Sequence, residues 1–178
     1  MPTIGPRSRL LVFRFPPGAV LRGELVGALE RIALRDPDAV RDGLCVARDP
    51  DDGALEAVDL ALVKERGGLA DLLDFRLAPG RRRMLTAWTL MTRPGGVPPR
   101  IIRAIGAQLE PGAVTVAVLL RSGAGIEALT EAAARCGGGV CADDDVPATK
   151  LAVLGEELLR AVAAARRPDR ADRAGAVD

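Results

Sequence analysis

Residues 113–120, AVTVAVLL, form a run with no polar face: Val114, Val116, Val118 and Leu120 alternate with Thr115, Ala117 and Leu119. Alternating β-branched residues mark a strand. Apolar side chains on both sides of it mark a strand that must be covered on both faces. The run at Arg9 to Phe15 has the same character, with Leu10 and Val12 set against Leu11 and Phe13. A chain carrying two such strands needs one cover for each side of its sheet. The expected cover for the second side is either the segment around Leu85, Trp88 and Met91 or a second copy of the chain.

The rest of the chain punctuates readily. Pro16-Pro17-Gly18 ends the first strand, and Leu21, Leu25, Ala28, Leu29 and Ile32 recur at helical spacing until Pro37. Residues 43–48 and 54–62 read as strands of a hairpin joined by Asp49-Pro50-Asp51-Asp52-Gly53. This turn is not a calcium loop, because Gly53 arrives one place early and Leu60 stands where a bidentate Glu belongs. Pro98 and Pro99 open a helix carrying Ile101, Ile102, Ile105 and Leu109. A further helix over residues 125–135 is capped by Gly137-Gly138-Gly139, a short strand covers 140–142, and Pro147 begins a last helix.

The order β-α-β-β-α-β-α-β-α predicts an α+β fold. Its first six elements match a ferredoxin-like β-α-β-β-α-β sheet with helices on one face, extended by an extra α-β-α. Residues 9–167 are expected to form a single domain with an irregular insert at 67–97, a flexible N-terminus at 1–8 and a disordered tail at 168–178.

Composition narrows the chemistry. The chain has no His and no Tyr, and its only serines are Ser8 and Ser122. Imidazole-dependent nucleophile pairs, general bases and zinc sites are therefore closed to it, and no catalytic residue, cofactor or metal is expected. A net charge of +1 supplies no overall field for nucleic acid or anionic lipid. The longest uncharged apolar runs are about half of the roughly 18–20 residues a membrane span requires. Three cysteines and no recognisable leader give the expectation of a reduced, cytoplasmic setting. Cys45 is expected to be buried on a strand, and Cys136, beside three glycines, to be reached by solvent.

Three groups of residues invite a functional reading. Gly123-Ala124-Gly125 lies between a strand and a helix, as a phosphate-binding loop does, and Asp143, Asp144 and Asp145 follow where a ribose-binding acid would stand. Against this, Arg121 and Ser122 intervene before the first glycine, and no third parallel strand completes a nucleotide-binding half. Arg81-Arg82-Arg83 is a local basic cluster, suited to a solvated loop or to an acidic partner. Phe13 and Phe15 share one strand face, where RNA-binding modules stack bases, but the strand at 54–62 lacks the second aromatic motif.

Gln108-Leu109-Glu110-Pro111-Gly112 running into the strand at 113–120, the later Gly137-Gly138-Gly139-Val140, the Asp-Val-Pro entry to the last helix and the opening LLVFRFP resemble small bacterial proteins. These are the domain-of-unknown-function families numbered twelve sixty-nine and sixty-three twenty-five, and the likeness spans most of residues 8–160. The resemblance implies no activity. Some members are described as membrane proteins on account of a glycine-rich apolar insert, which here is broken by Arg76, Arg81, Arg82, Arg83 and Arg93.

Together these readings give the expectation of a non-catalytic interaction or scaffold module that forms a dimer, with no specific nucleic acid and no membrane span. Its expected contact residues are Leu85, Trp88, Met91, Arg81, Arg82 and Arg83. The alternative is a small-ligand or nucleotide binder using Gly123, Gly125 and Asp143 to Asp145.

Overall fold

The computed structural model describes residues 7–165 except 20, 22, 61–78, 92–93 and 122. The expected tail at 168–178, the first part of the 67–97 insert and most of the N-terminal segment lie outside the described residues. Within them the order is β1 (Ser8–Phe15), α1 (Glu24–Arg35), β2 (Val40–Arg48), β3 (Leu55–Asp59), α2 (Pro79–Thr89), α3 (Pro99–Ala107), β4 (Val114–Arg121), α4 (Ile126–Arg135), β5 (Gly139–Val146), a 3-10 turn (Leu151–Leu154) and α5 (Gly155–Ala164).

The strands form one five-stranded sheet in the order β3-β2-β4-β1-β5, with every neighbouring pair antiparallel. A ferredoxin-like assignment of the first four strands requires β3 to lie between β1 and β2, and the sheet does not have that order. β3 goes to the edge and β4 takes the central place. The reason lies in the residues: β4 is apolar on both faces and buried from Val114 to Leu120, whereas β3 is short and carries Glu56 and Asp59. The connections β1-α1-β2 and β4-α4-β5 each step over one strand, so the two units interleave.

Helices cover both faces of the sheet, which corrects the expectation of one. On the first face Leu11, Phe13, Phe15, Val116 and Val118 pack against α1 and α4. On the second, Leu10, Val12, Ala117 and Leu119 pack against α3, the 3-10 turn and α5. The uncovered sheet face from which a dimer was expected is therefore filled by Ile101, Ile102, Ile105, Leu151, Leu154 and Leu158 of the chain itself.

Each helix follows from its stripe and its stops. In α1, Leu25, Ala28, Leu29 and Ile32 face the sheet, and Pro37 bars continuation past Asp36. α4 ends in a Schellman closure: the Gly138 N–H donates to the Ala133 carbonyl and the Gly137 N–H to that of Ala134, each at 2.9 Å. Gly112, at φ +85°, makes the turn into β4 and lies 3.3 Å, at its missing Cβ, from Pro17. Only glycine suits that backbone.

The second helical layer is tied to the sheet by a buried carboxylate. Asp42, 8% exposed, lies where the β2–β4 register shifts. It accepts the Leu151 N–H at 2.8 Å and the Gly43 N–H at 2.9 Å. It thereby caps the 3-10 turn from a distant strand, supplying one of the acceptors that a helix start lacks. Replacing Asp42 by Ala strands two buried donors and is expected to cost about 2–4 kcal/mol in urea unfolding. Asp42→Asn keeps one acceptor oxygen and should lose less. Equal losses for the two variants would show that the carboxylate does not hold the turn.

Candidate functional site

The glycine loop and the acidic triplet do come to one end of the sheet, because Ser8 is in register with both Arg121 and Val146. A Cβ on Gly123, at φ +85°, would meet nothing within 4 Å, whereas Gly125 serves packing. An ideal Cβ on Gly125, at φ +55°, would sit 2.4 Å from the Ile32 side chain, so the glycine there lets α4 approach α1. Asp143, Asp144 and Asp145 lie within β5 rather than after it. Two of them are committed: Arg9 pairs with Asp143 through its Nε, and with Asp145 at 3.2 Å. The bond to Asp143 is the main reason the Arg9 guanidinium is held protonated well above its ordinary range. A ribose hydroxyl bound at Asp143 or Asp145 would have to compete with Arg9.

The arginine cluster is helical rather than a loop. Arg82 points inward, 3.2 Å from Glu56 and 3.8 Å from Asp49, while Arg81 and Arg83 are exposed. Asp49 accepts the N–H groups of Asp51 at 2.8 Å and Asp52 at 3.2 Å. Those bonds first, and then Arg82 and Arg83, hold its carboxyl below the usual aspartate range. A cleft of about 260 Å³ lies here, lined by Asp49, Asp52, Leu55, Glu56, Arg82 and Arg83 among others. Its acids and arginines face each other, so the cleft is largely neutralised from within.

The face of α2 toward β3 was not foreseen. Leu85, expected on an interaction surface, is 4% exposed and packs inward. Thr86 and Thr89, also buried, offer their hydroxyl oxygens to the sheet edge: the Ala57 N–H donates to Thr86 Oγ1 and the Asp59 N–H to Thr89 Oγ1, each at 3.2 Å. These donors point away from β2 and would otherwise be unpaired strand edge. Two threonines three residues apart in an apolar run were the available signal. The opposite face of α2 carries Met84, 43% exposed, and is continued by Met91 at 63%, with Trp88 half-buried between them.

Other sequence candidates are settled by burial. Phe13 and Phe15 are fully buried beneath α1 and α4, where no base can stack on them. Cys136 is buried, contrary to expectation, because its side chain turns under the helix end into the first core, while Cys141 packs partly against the second. The two thiols therefore lie on opposite faces of the sheet. Among the described residues no group of three or more His, Cys, Asp or Glu is placed to hold a metal ion, and no helix is long and apolar enough to cross a membrane. Comparison with protein-family models, with curated proteins and with solved structures finds no match.

Two measurements check this geometry. Alkylation of the folded protein should label Cys141 first, with Cys45 and Cys136 protected. Burial pushes the Cys141 thiol up, so the rate should keep rising with pH beyond the ordinary thiol range of about 8.5. Early labelling of Cys136 would contradict its placement. The depressed Asp49 carboxyl makes the second prediction: its stabilisation is fully present above the unfolded aspartate pKa of about 3.9 and is lost as pH falls through the lower folded value. Asp49→Asn should therefore flatten the acid limb of stability against pH, and an unchanged limb would remove the turn from its cause.

Proposed function

We propose that this chain is a non-catalytic interaction or scaffold module that self-associates through the outer face of α2. The observation that carries this reading is the pair Met84 and Met91, exposed seven residues apart on one side of a helical segment whose other side closes the sheet edge. Other large exposed apolar residues, Leu34, Val140 and Val153, are on separate elements. Met91 lies just past the end of α2, but its N–H still donates to the Ala87 carbonyl at 3.1 Å. The helical path thus carries on, and both methionines stand near one line with Trp88 and the small Ala87 between them.

A second copy fits this face. Antiparallel packing about a two-fold axis sets Met84 of one copy beside Met91 of the other, with Ala87 allowing close approach. The same arrangement carries Arg81 and Arg83 of each copy to opposite ends. There they meet the C-terminal end of the other copy's helix, whose dipole favours a cation. Methionine suits such contacts because its side chain adapts to irregular gaps.

We also infer that the interleaved units β1-α1-β2 and β4-α4-β5 are a ferredoxin-like core, into which β3, α2 and α3 are inserted between β2 and β4. On that reading α2 belongs to an elaboration of the core, the part of a fold most free to acquire a contact surface. The likeness to the domain-of-unknown-function families is retained as a proposal of kinship and adds no activity.

Sedimentation equilibrium at micromolar concentration is expected to show a dimer. Met84→Glu with Met91→Glu should weaken it more than a hundredfold, since each methionine buried at a contact contributes about 2 kcal/mol. Trp88 fluorescence should shift to the red in the variant. A wild-type chain that is monomeric throughout would overturn the proposal.

A further inference from the structure

The sheet has two edges, and they are defended by different means. β5 lies exposed with Asp143, Asp144 and Asp145 in succession. An antiparallel two-fold pairing centred on Asp144 would set Asp144 against its own copy and Asp143 against Asp145, so like charges oppose that register. β3 carries no such bar. Pairing centred on Ala57 sets Leu55 against Asp59, Glu56 against Val58 and Ala57 against Ala57, with no like charges opposed. The outward N–H groups of Ala57 and Asp59 are those this register would use.

Among the described residues, the cover on that edge is α2, and its attachment is mostly polar. It is held by the hydroxyl oxygens of Thr86 and Thr89 and by Arg82 on Asp49 and Glu56. Its buried Leu85 belongs to neither of the two core clusters. By contrast, α1 sends Leu25, Val26, Ala28, Leu29 and Ile32 into the core. Among the described residues, the element guarding this self-complementary edge is thus held to it by polar contacts, with Leu90 just beyond its end packed in part against the second core.

We propose that α2 is a guard on a latent self-pairing edge, and that β3 joins antiparallel to β3 of a second copy when the Thr86 and Thr89 bonds are lost. This assembly differs from the contact through the outer face of α2 and does not depend on it. The test is therefore made in the Met84→Glu, Met91→Glu background. Adding Thr86→Val and Thr89→Val keeps the side-chain volume and removes both acceptors. Sedimentation equilibrium should show association at least tenfold stronger than in the background, and hydrogen exchange should find the Ala57 and Asp59 amides slowed in the associated form. Where the double threonine variant fails to fold, Arg82→Gln, which removes the ion pairs of α2 to Asp49 and to Glu56 of β3 but changes no residue of the strand, is read in the same way. A folded variant that remains monomeric overturns the proposal, as does a dimer whose Ala57 and Asp59 amides exchange as fast as in the monomer.

Discussion

Burial of β4 on both faces is the constraint from which the rest of the structure follows. Seven successive residues from Val114 to Leu120 are shielded from water, so the strand can lie only in the middle of a sheet and between two layers of helix. β1 has the same demand, and the two strands pair along their whole length from Ser8 opposite Arg121 to Phe15 opposite Val114. With that pair central, β2 flanks β4 and β5 flanks β1. Thr115 marks the severity of the burial: among the described residues its hydroxyl finds no hydrogen-bond partner, a state that costs about 1–3 kcal/mol.

A two-faced core leaves the polar work to the margins. Arg9 joins β1 to the acids of β5, Arg135 reaches Glu24 of α1 at 2.7 Å, and Arg121 pairs with Asp36 beyond the end of α1. These contacts bridge elements far apart in sequence, yet they are substantially exposed, and exposed pairs contribute little individually. Their greater effect is on alternatives. A charged edge or helix end tolerates one neighbour and repels others, which fixes register where apolar packing alone would allow slippage.

The sequence was legible where the governing interactions are local. β4, the Pro-led α3, the Asp-rich hairpin and the glycine closure of α4 all follow from spacing and turn chemistry within a few residues. What could not be read was set at a distance. The first hairpin strand was expected to begin at residue 43, but Asp42 lies within it and caps a turn more than a hundred positions away. Asp143 to Asp145 looked like a loop after a short strand, but Arg9 makes them tolerable within one. Cys136 stands beside glycines that suggest exposure, and the helix end folds it inward. Strand order failed for the same reason: adjacency in the chain favoured β3 at the centre, whereas burial on both faces reserved that place for β4.

The candidate site was half legible for a related cause. The basic and apolar residues of α2 were visible as types, but the helix divides them by face, sending Leu85 and Arg82 inward and leaving Met84 and Met91 outside. A helical period assigns faces only relative to a neighbour, and the neighbour here is an edge strand. That strand offers N–H groups rather than an apolar surface. Threonine hydroxyls satisfy such an edge where leucines could not, since a buried donor without an acceptor costs more than an apolar contact returns. The docking of α2 to the strand edge is consequently polar and directional, with Leu85 buried beside it and Met84 left outside. The same requirement that closes the sheet edge therefore leaves Met84 and Met91 on the exposed side.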